Sequence, residues 1–103
     1  MYAKAESLSE KDEKELGRNV ALQLTNQYRL LNNDEVNEYV TLVGLAVASR
    51  SARPDQEFVF GVLDTDEIGA WAGPGGYIMI TRGAMKMMRD ESELAGVLAH
   101  EMA

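Results

Sequence analysis

Residues 64–103 read DTDEIGAWAGPGGYIMITRGAMKMMRDESELAGVLAHEMA. Asp64 to Glu67 is polar and suits a turn. Ile68-Gly69-Ala70-Trp71-Ala72 and Tyr77-Ile78-Met79-Ile80-Thr81 are rich in β-formers, and Gly73-Pro74-Gly75-Gly76 lies between them. Proline presets its own φ and glycine accepts the positive φ that follows, so Pro-Gly fits the central positions of a type II turn. Two short strands paired as a hairpin are therefore expected. Arg82-Gly83 ends the hairpin, and Ala84 to Met88 is expected to form one or two helical turns. Asp90-Glu91-Ser92-Glu93 then has the capping-box pattern, a side-chain acceptor at the cap with an acid three residues on. It opens a helix bearing Leu94, Val97 and Leu98, and that helix carries His100 and Glu101.

Upstream, the pattern is helical. Ser9-Glu10-Lys11-Asp12 reads as a helix start. Leu16, Val20, Leu24, Tyr28 and Leu31 follow at helical spacing and give one apolar stripe. The charge-dense run from Glu6 to Glu15 reads as a solvated helix face. Asn32-Asn33-Asp34-Glu35 breaks this helix and starts another, with Asn32 expected as the cap and Glu35 at the reciprocal position. Val36, Tyr39, Val40, Val43 and Val47 continue the period to about Ser49. Arg50 to Asp55, with Pro54, is a connector. Glu57 to Leu63 (EFVFGVL) reads as a strand.

Composition bounds the function. A chain of 103 residues is one domain or less, and 46% apolar residues suffice for a core. The formal net charge of −7, from 17 acids against 10 bases, argues against nucleic acid as a partner, because phosphate binding needs a basic face. It argues in the same way against anionic membrane surfaces. No run of about 18 apolar residues occurs, so nothing in the sequence reads as a membrane span. Zero cysteines exclude disulfides and thiolate chemistry and leave the redox compartment open. The first residues, Met1 to Glu6, do not read as a signal peptide.

His100-Glu101 is the one constellation that suggests chemistry. Positions i and i+4 of a helix lie on one face, one turn apart, so two histidines at that spacing can reach one metal ion. A glutamate directly after the first histidine is swung toward the open coordination position, where a bound water sits. The sequence holds the H-E-x-x part of such an H-E-x-x-H pattern, without the second histidine. By itself a His-Glu pair on a helix is more often structural than ligating. The Pro-Gly-Gly hairpin likewise fits a plain turn between two core strands, and Trp71 fits either a core aromatic or a cleft wall. The methionines at 79, 85, 87 and 88 read as core filling.

Two stretches together resemble a known family. DESELAGVLAHEMA, residues 90–103, is similar to the active-site helix of the HtpX-like gluzincin metallopeptidases, whose usual text is E-L-A-x-V-L-A-H-E-x-A-H after an acid-rich start. This family includes the CAAX prenyl protease, a mitochondrial quality-control protease and bacterial periplasmic proteases. Gly69-Ala70-Trp71-Ala72 and Pro74-Gly75-Gly76-Tyr77-Ile78-Met79-Ile80-Thr81-Arg82-Gly83 resemble its N-A-F-A and P-G-G-Y-I-x-(V/I)-T-x-G. The resemblance is tight over Asp64 to Ala103 and loose over the rest.

The resemblance implies an α+β fold, the N-terminal part of a zincin-like (gluzincin) catalytic domain spanning residues 1–103 as a single unit. Two helices would pack on a small mixed or antiparallel sheet, followed by the active-site helix. It implies a zinc-dependent metalloendopeptidase acting in protein quality control, with zinc as cofactor, His100 as a metal ligand and Glu101 as the catalytic base. The further ligands lie outside these residues, so the chain by itself is expected to be inactive. Gly69, Ala70, Trp71 and Ala72 would bind substrate, a peptide or unfolded protein, through the backbone of an edge strand. Gly69 stands where the family usually has asparagine, which removes a polar contact and is expected to loosen the start of the strand. The implied location is a bacterial periplasm or cell envelope. Two other readings stay open: a non-enzymatic binding domain that uses the exposed strand, and a degenerate peptidase homologue that keeps the fold and has lost the third metal ligand.

Overall fold

Side-chain oxygens set where the helices begin. In the computed structural model, which describes residues 9–103, Ser9 Oγ accepts from the amide of Asp12 at 3.1 Å and opens helix α1, Glu10–Tyr28. Asn33 Oδ1 accepts from Val36 N and opens α2, Asp34–Ala48. Thr81 Oγ1 accepts from Ala84 N and opens a short α3, Arg82–Lys86. Asp90 Oδ1 accepts from Glu93 N and opens α4, Glu91–Met102. Each oxygen satisfies one amide that the first helical turn leaves without a partner. Between α2 and α3 lie the strands β1 (Val59–Leu63), β2 (Ala70–Gly73) and β3 (Tyr77–Thr81).

The sheet is mixed, in the order β1-β3-β2. β1 runs parallel to β3 with Phe60 beside Ile78 and Val62 beside Ile80. β2 pairs antiparallel with β3, Trp71 opposite Met79. Side chains alternate along a strand, so this register sorts them onto two faces. Val62, Ile78, Ile80 and Ala70 point one way, into a core shared with Val40 and Val43 of α2 and Leu94, Leu98 and Met102 of α4. Leu63, Met79, Trp71 and Tyr77 point the other way, onto Ala21, Leu24 and Tyr28 of α1. The molecule is thus three layers, with α1 alone on one side of the sheet and α2 with α4 on the other.

Several expectations shift in detail. The cap of α2 is Asn33 rather than Asn32, because α1 ends earlier, at Tyr28, and the chain between is extended. Arg29, with φ 64°, makes that turn, and Leu30 bridges Leu63 on the far side of β1. Of the expected α1 stripe, Leu16 and Val20 are exposed, and the buried positions are Gly17 and Ala21. The helix meets the hairpin turn too closely for larger side chains: a Cβ on Gly17 would stand 1.7 Å from the carbonyl oxygen of Pro74. β2 starts at Ala70 rather than Ile68, and α3 takes Arg82 and Gly83 into its first turn because Thr81 caps it. Glu93 does not return a bond to its own cap; its carboxylate accepts from the Arg89 amide and side chain at 2.9 and 3.0 Å. The part of the charged run at residues 6–8 lies outside the described residues.

The hairpin turn follows the sequence. Gly75, after Pro74, takes φ 78°, the sign required at the third position of a type II turn, and Gly76 takes φ 89°. No helix among the described residues is long and apolar enough to cross a membrane.

Candidate functional site

The predicted site residues fall on two neighbouring elements. Gly69 to Ala72 lie on β2 and just before it, and His100 and Glu101 lie in the last turn of α4, which packs against β2 as well as against α2. Leu94, Leu98 and Met102 recur every fourth residue and anchor α4 in the core. At 100° per residue, His100 falls about 200° from Leu98, on the solvent side. It is exposed, and Glu101 is half-buried.

β2 is an edge strand, and its outward groups can be assigned. Thr81 N donates to Gly69 O at 3.0 Å, which makes Gly69 and Thr81 a hydrogen-bonded pair. Antiparallel pairs alternate, so Trp71 and Gly73 also spend their backbone groups on β3. The N–H and C=O of Ala70 and Ala72 therefore point away from the sheet, toward the free edge. Their side chains lie on the α4 face, where methyl groups leave room beside the strand.

Thr81 fastens this edge. It is fully buried, and its Oγ1 accepts from Gly69 N at 3.1 Å and from Ala84 N at 2.9 Å. With the Thr81 N–H bonded back to Gly69 O, the start of β2 is held at both backbone groups. The loosening expected from Gly69 is offset by this clamp. The signal for Thr81 in the sequence is a threonine between an apolar strand and Arg-Gly, which has the chemistry of a helix cap.

Trp71 does not face α4. Its indole lies on the α1 side of the sheet, stacked on Tyr28 with ring centroids 6.0 Å apart at 30°. It is half-buried, so of the two readings the core one describes most of the ring. The Tyr28 hydroxyl is held above its ordinary pKa, first by its hydrogen bond to the Glu67 carboxylate and then by burial. Before β2, Arg82 bridges Asp64 and Asp66 at 2.9 and 2.7 Å, and Lys86 adds a longer contact to Asp66. These cations hold the Asp66 carboxyl below its usual range, the hydrogen bond from Lys86 foremost.

His100 is the sole histidine of the sequence. Among the described residues no group of three or more His, Cys, Asp or Glu side chains stands together as a metal site. One imidazole does not complete a zinc site, which takes three protein ligands or more. A recess of about 550 Å³ between α2, the connector and α4 is lined by Val47, Phe58, Ala99 and Met102 among others, and contains none of the predicted site residues.

Residues 34–103 match the model of peptidase family M48. Relatives include the beta-barrel assembly-enhancing protease of Escherichia coli (strain K12), 29% identical over 97 residues that make up 94% of this chain and 20% of that protein. The protein of the same name from Shigella flexneri gives the same values, and that from Yersinia pestis is 28% identical over 74 residues, 72% of this chain and 15% of its own length. The chain thus spans about a fifth of the length of the relatives it matches.

Proposed function

The chain belongs to peptidase family M48, and from that premise we propose that it forms part of a zinc-dependent metalloendopeptidase that takes unfolded or extended polypeptide. The observation that carries this reading is the juxtaposition of a bare strand edge with the helix that bears His100 and Glu101. An extended polypeptide adds to β2 as a further strand, its backbone pairing with the outward groups of Ala70 and Ala72. Backbone pairing reads little side-chain identity, which suits a protease of broad specificity. His100 contributes one imidazole to the metal, in a polypeptide that supplies the remaining ligands. Zinc bound there provides Lewis acidity that lowers the pKa of a water to about 7. Beside a metal held by His100 and further ligands, the Glu101 carboxylate would serve as the general base and carry the proton toward the leaving amine.

The relatives are beta-barrel assembly-enhancing proteases, which supports protein quality control in the bacterial envelope as the role and place, with the periplasm as the proposed compartment. Residues 1–103 alone, with one imidazole, are expected to hold peptide without hydrolysing it. What separates this reading from a non-enzymatic strand-binding domain is the role of Glu101. In a polypeptide with the flanking sequence, Glu101→Gln should reduce casein hydrolysis by about 10²–10⁴-fold while zinc content and circular dichroism stay unchanged. Hydrolysis that survives Glu101→Gln, or that a chelator does not touch, overturns the reading.

A further inference from the structure

Two positions of the Gly69-Ala70-Trp71-Ala72 stretch depart from the family pattern quoted above: glycine for asparagine and tryptophan for phenylalanine. The structure links them. Residues 69 and 71 share a face, and the indole of Trp71 lies back over Gly69. A Cβ built on Gly69 would stand 3.0 Å from Cη2, 3.3 Å from Cζ2 and 3.4 Å from Cζ3 of Trp71. The six-membered ring thus fills the space that a side chain at 69 would need. Asparagine there would bring three more heavy atoms beyond a Cβ that is already tight, and the ring would have to move. The larger aromatic and the missing side chain are one arrangement.

This arrangement sits at the free edge. Ala70 and Ala72 offer their backbone groups outward, so Trp71 between them occupies a non-hydrogen-bonded position toward any antiparallel strand added there. At such positions the facing Cα atoms are closest, about 4.5 Å, and side chains meet directly. The residue facing Trp71 would project onto the α1 side, against an indole that Tyr28 backs by stacking. Where asparagine would offer polar atoms, this chain offers the face and rim of a ring.

We propose that Trp71, seated over Gly69 and braced by Tyr28, is a specificity determinant of the β2 edge that selects an aromatic or β-branched side chain in the polypeptide residue facing it. The inference rests on the reading of β2 as the edge that receives polypeptide. Aromatic cross-strand pairs stabilise by up to about 1 kcal/mol, so the preference is up to about fivefold in affinity.

The test uses residues 1–103 and two blocked peptides, acetyl-Thr-Ser-Phe-Ser-Thr-amide and its counterpart with serine for phenylalanine, titrated by calorimetry. The chain has one tryptophan, so its emission reports on Trp71 alone. The phenylalanine peptide is expected to bind several-fold more tightly and to shift the emission to the blue. Trp71→Thr keeps a β-former in the strand and should bring the affinities of the two peptides together, whatever its effect on either one alone. Trp71→Phe, a milder change that keeps an aromatic, should retain part of it. Gly69→Asn should shift the emission of the free chain and weaken the preference. Equal affinities for the two peptides, or a preference unchanged in both Trp71→Thr and Gly69→Asn, overturn the proposal and leave the edge reading standing. Failure of both peptides to bind overturns the edge reading and the proposal with it.

Discussion

The two edges of this three-stranded sheet are treated in opposite ways. On β1 the outward groups of the second half are occupied: Val62 O accepts from Leu31 N at 2.8 Å, Val62 N donates to Asn37 Oδ1 at 3.3 Å, and Asp64 N, just past the strand, donates to Arg29 O at 2.9 Å. The segment after α1 lies along that edge as a strap, and Asn37 ties the strap down through Leu31 O and Asn33 O. On β2, Ala70 and Ala72 turn their N–H and C=O groups outward and bond no partner among the described residues. An uncovered edge is a liability that proteins usually block. Here one edge is blocked and the other, beside the helix that carries His100 and Glu101, is left open. The contrast is what supports the proposed capture of polypeptide at β2.

The contrast can be broken from either side. The largest loss is expected at Gly17, where α1 touches the hairpin turn. Gly17→Ala places a Cβ against the Pro74 carbonyl and should cost roughly 3 kcal/mol in urea unfolding, with the hairpin loosening first. Thr81→Val keeps the shape but removes the hydroxyl that two amides use. A cost of about 2 kcal/mol is expected, and Thr81→Ser should recover most of it. Asn37→Ala attacks the other edge. Val62 is fully buried, so its N–H is left without a partner, at about 1–2 kcal/mol, and the β1 edge should begin to pair with added peptide.

The smallest effect concerns the connector before β2. The folded-state pKa of Asp66 is lowered, so its ionised form favours the folded state. That contribution is fully present above the ordinary value of 3.8 and is lost as pH falls through the lowered one. Asp66→Asn should therefore lower the melting temperature slightly at pH 7 and make no difference at the acid end of a titration. Because the pair is exposed, added salt should shrink the difference.

The sequence was legible where local chemistry decides. Ser9, Asp90 and the Pro74-Gly75 turn each act within four residues, and each could be read from side-chain type and spacing. The hairpin and the two long helices followed from periodicity. What could not be read depends on contacts distant in sequence. Gly17 matters because the hairpin turn approaches it, and nothing near position 17 announces that. The α1 stripe was misjudged for the same reason: a closely packed helix buries Gly17 and Ala21 and leaves Leu16 and Val20 outside. Asn33 displaced Asn32 as the cap because the strap along β1 draws the chain out after Tyr28. In the site, the placement of His100 and Glu101 at the end of α4 came from the helix pattern alone. The clamp at Thr81 and the direction of Trp71 required the register of β2 on β3.

The most direct measurement of the central claim is backbone amide exchange, followed by NMR, with and without an excess of extended peptide. Slowed exchange at Ala70 and Ala72, with Val62 on the strapped edge unchanged, is the result this account predicts. Unchanged exchange at Ala70 and Ala72, or equal slowing along β1, would contradict it.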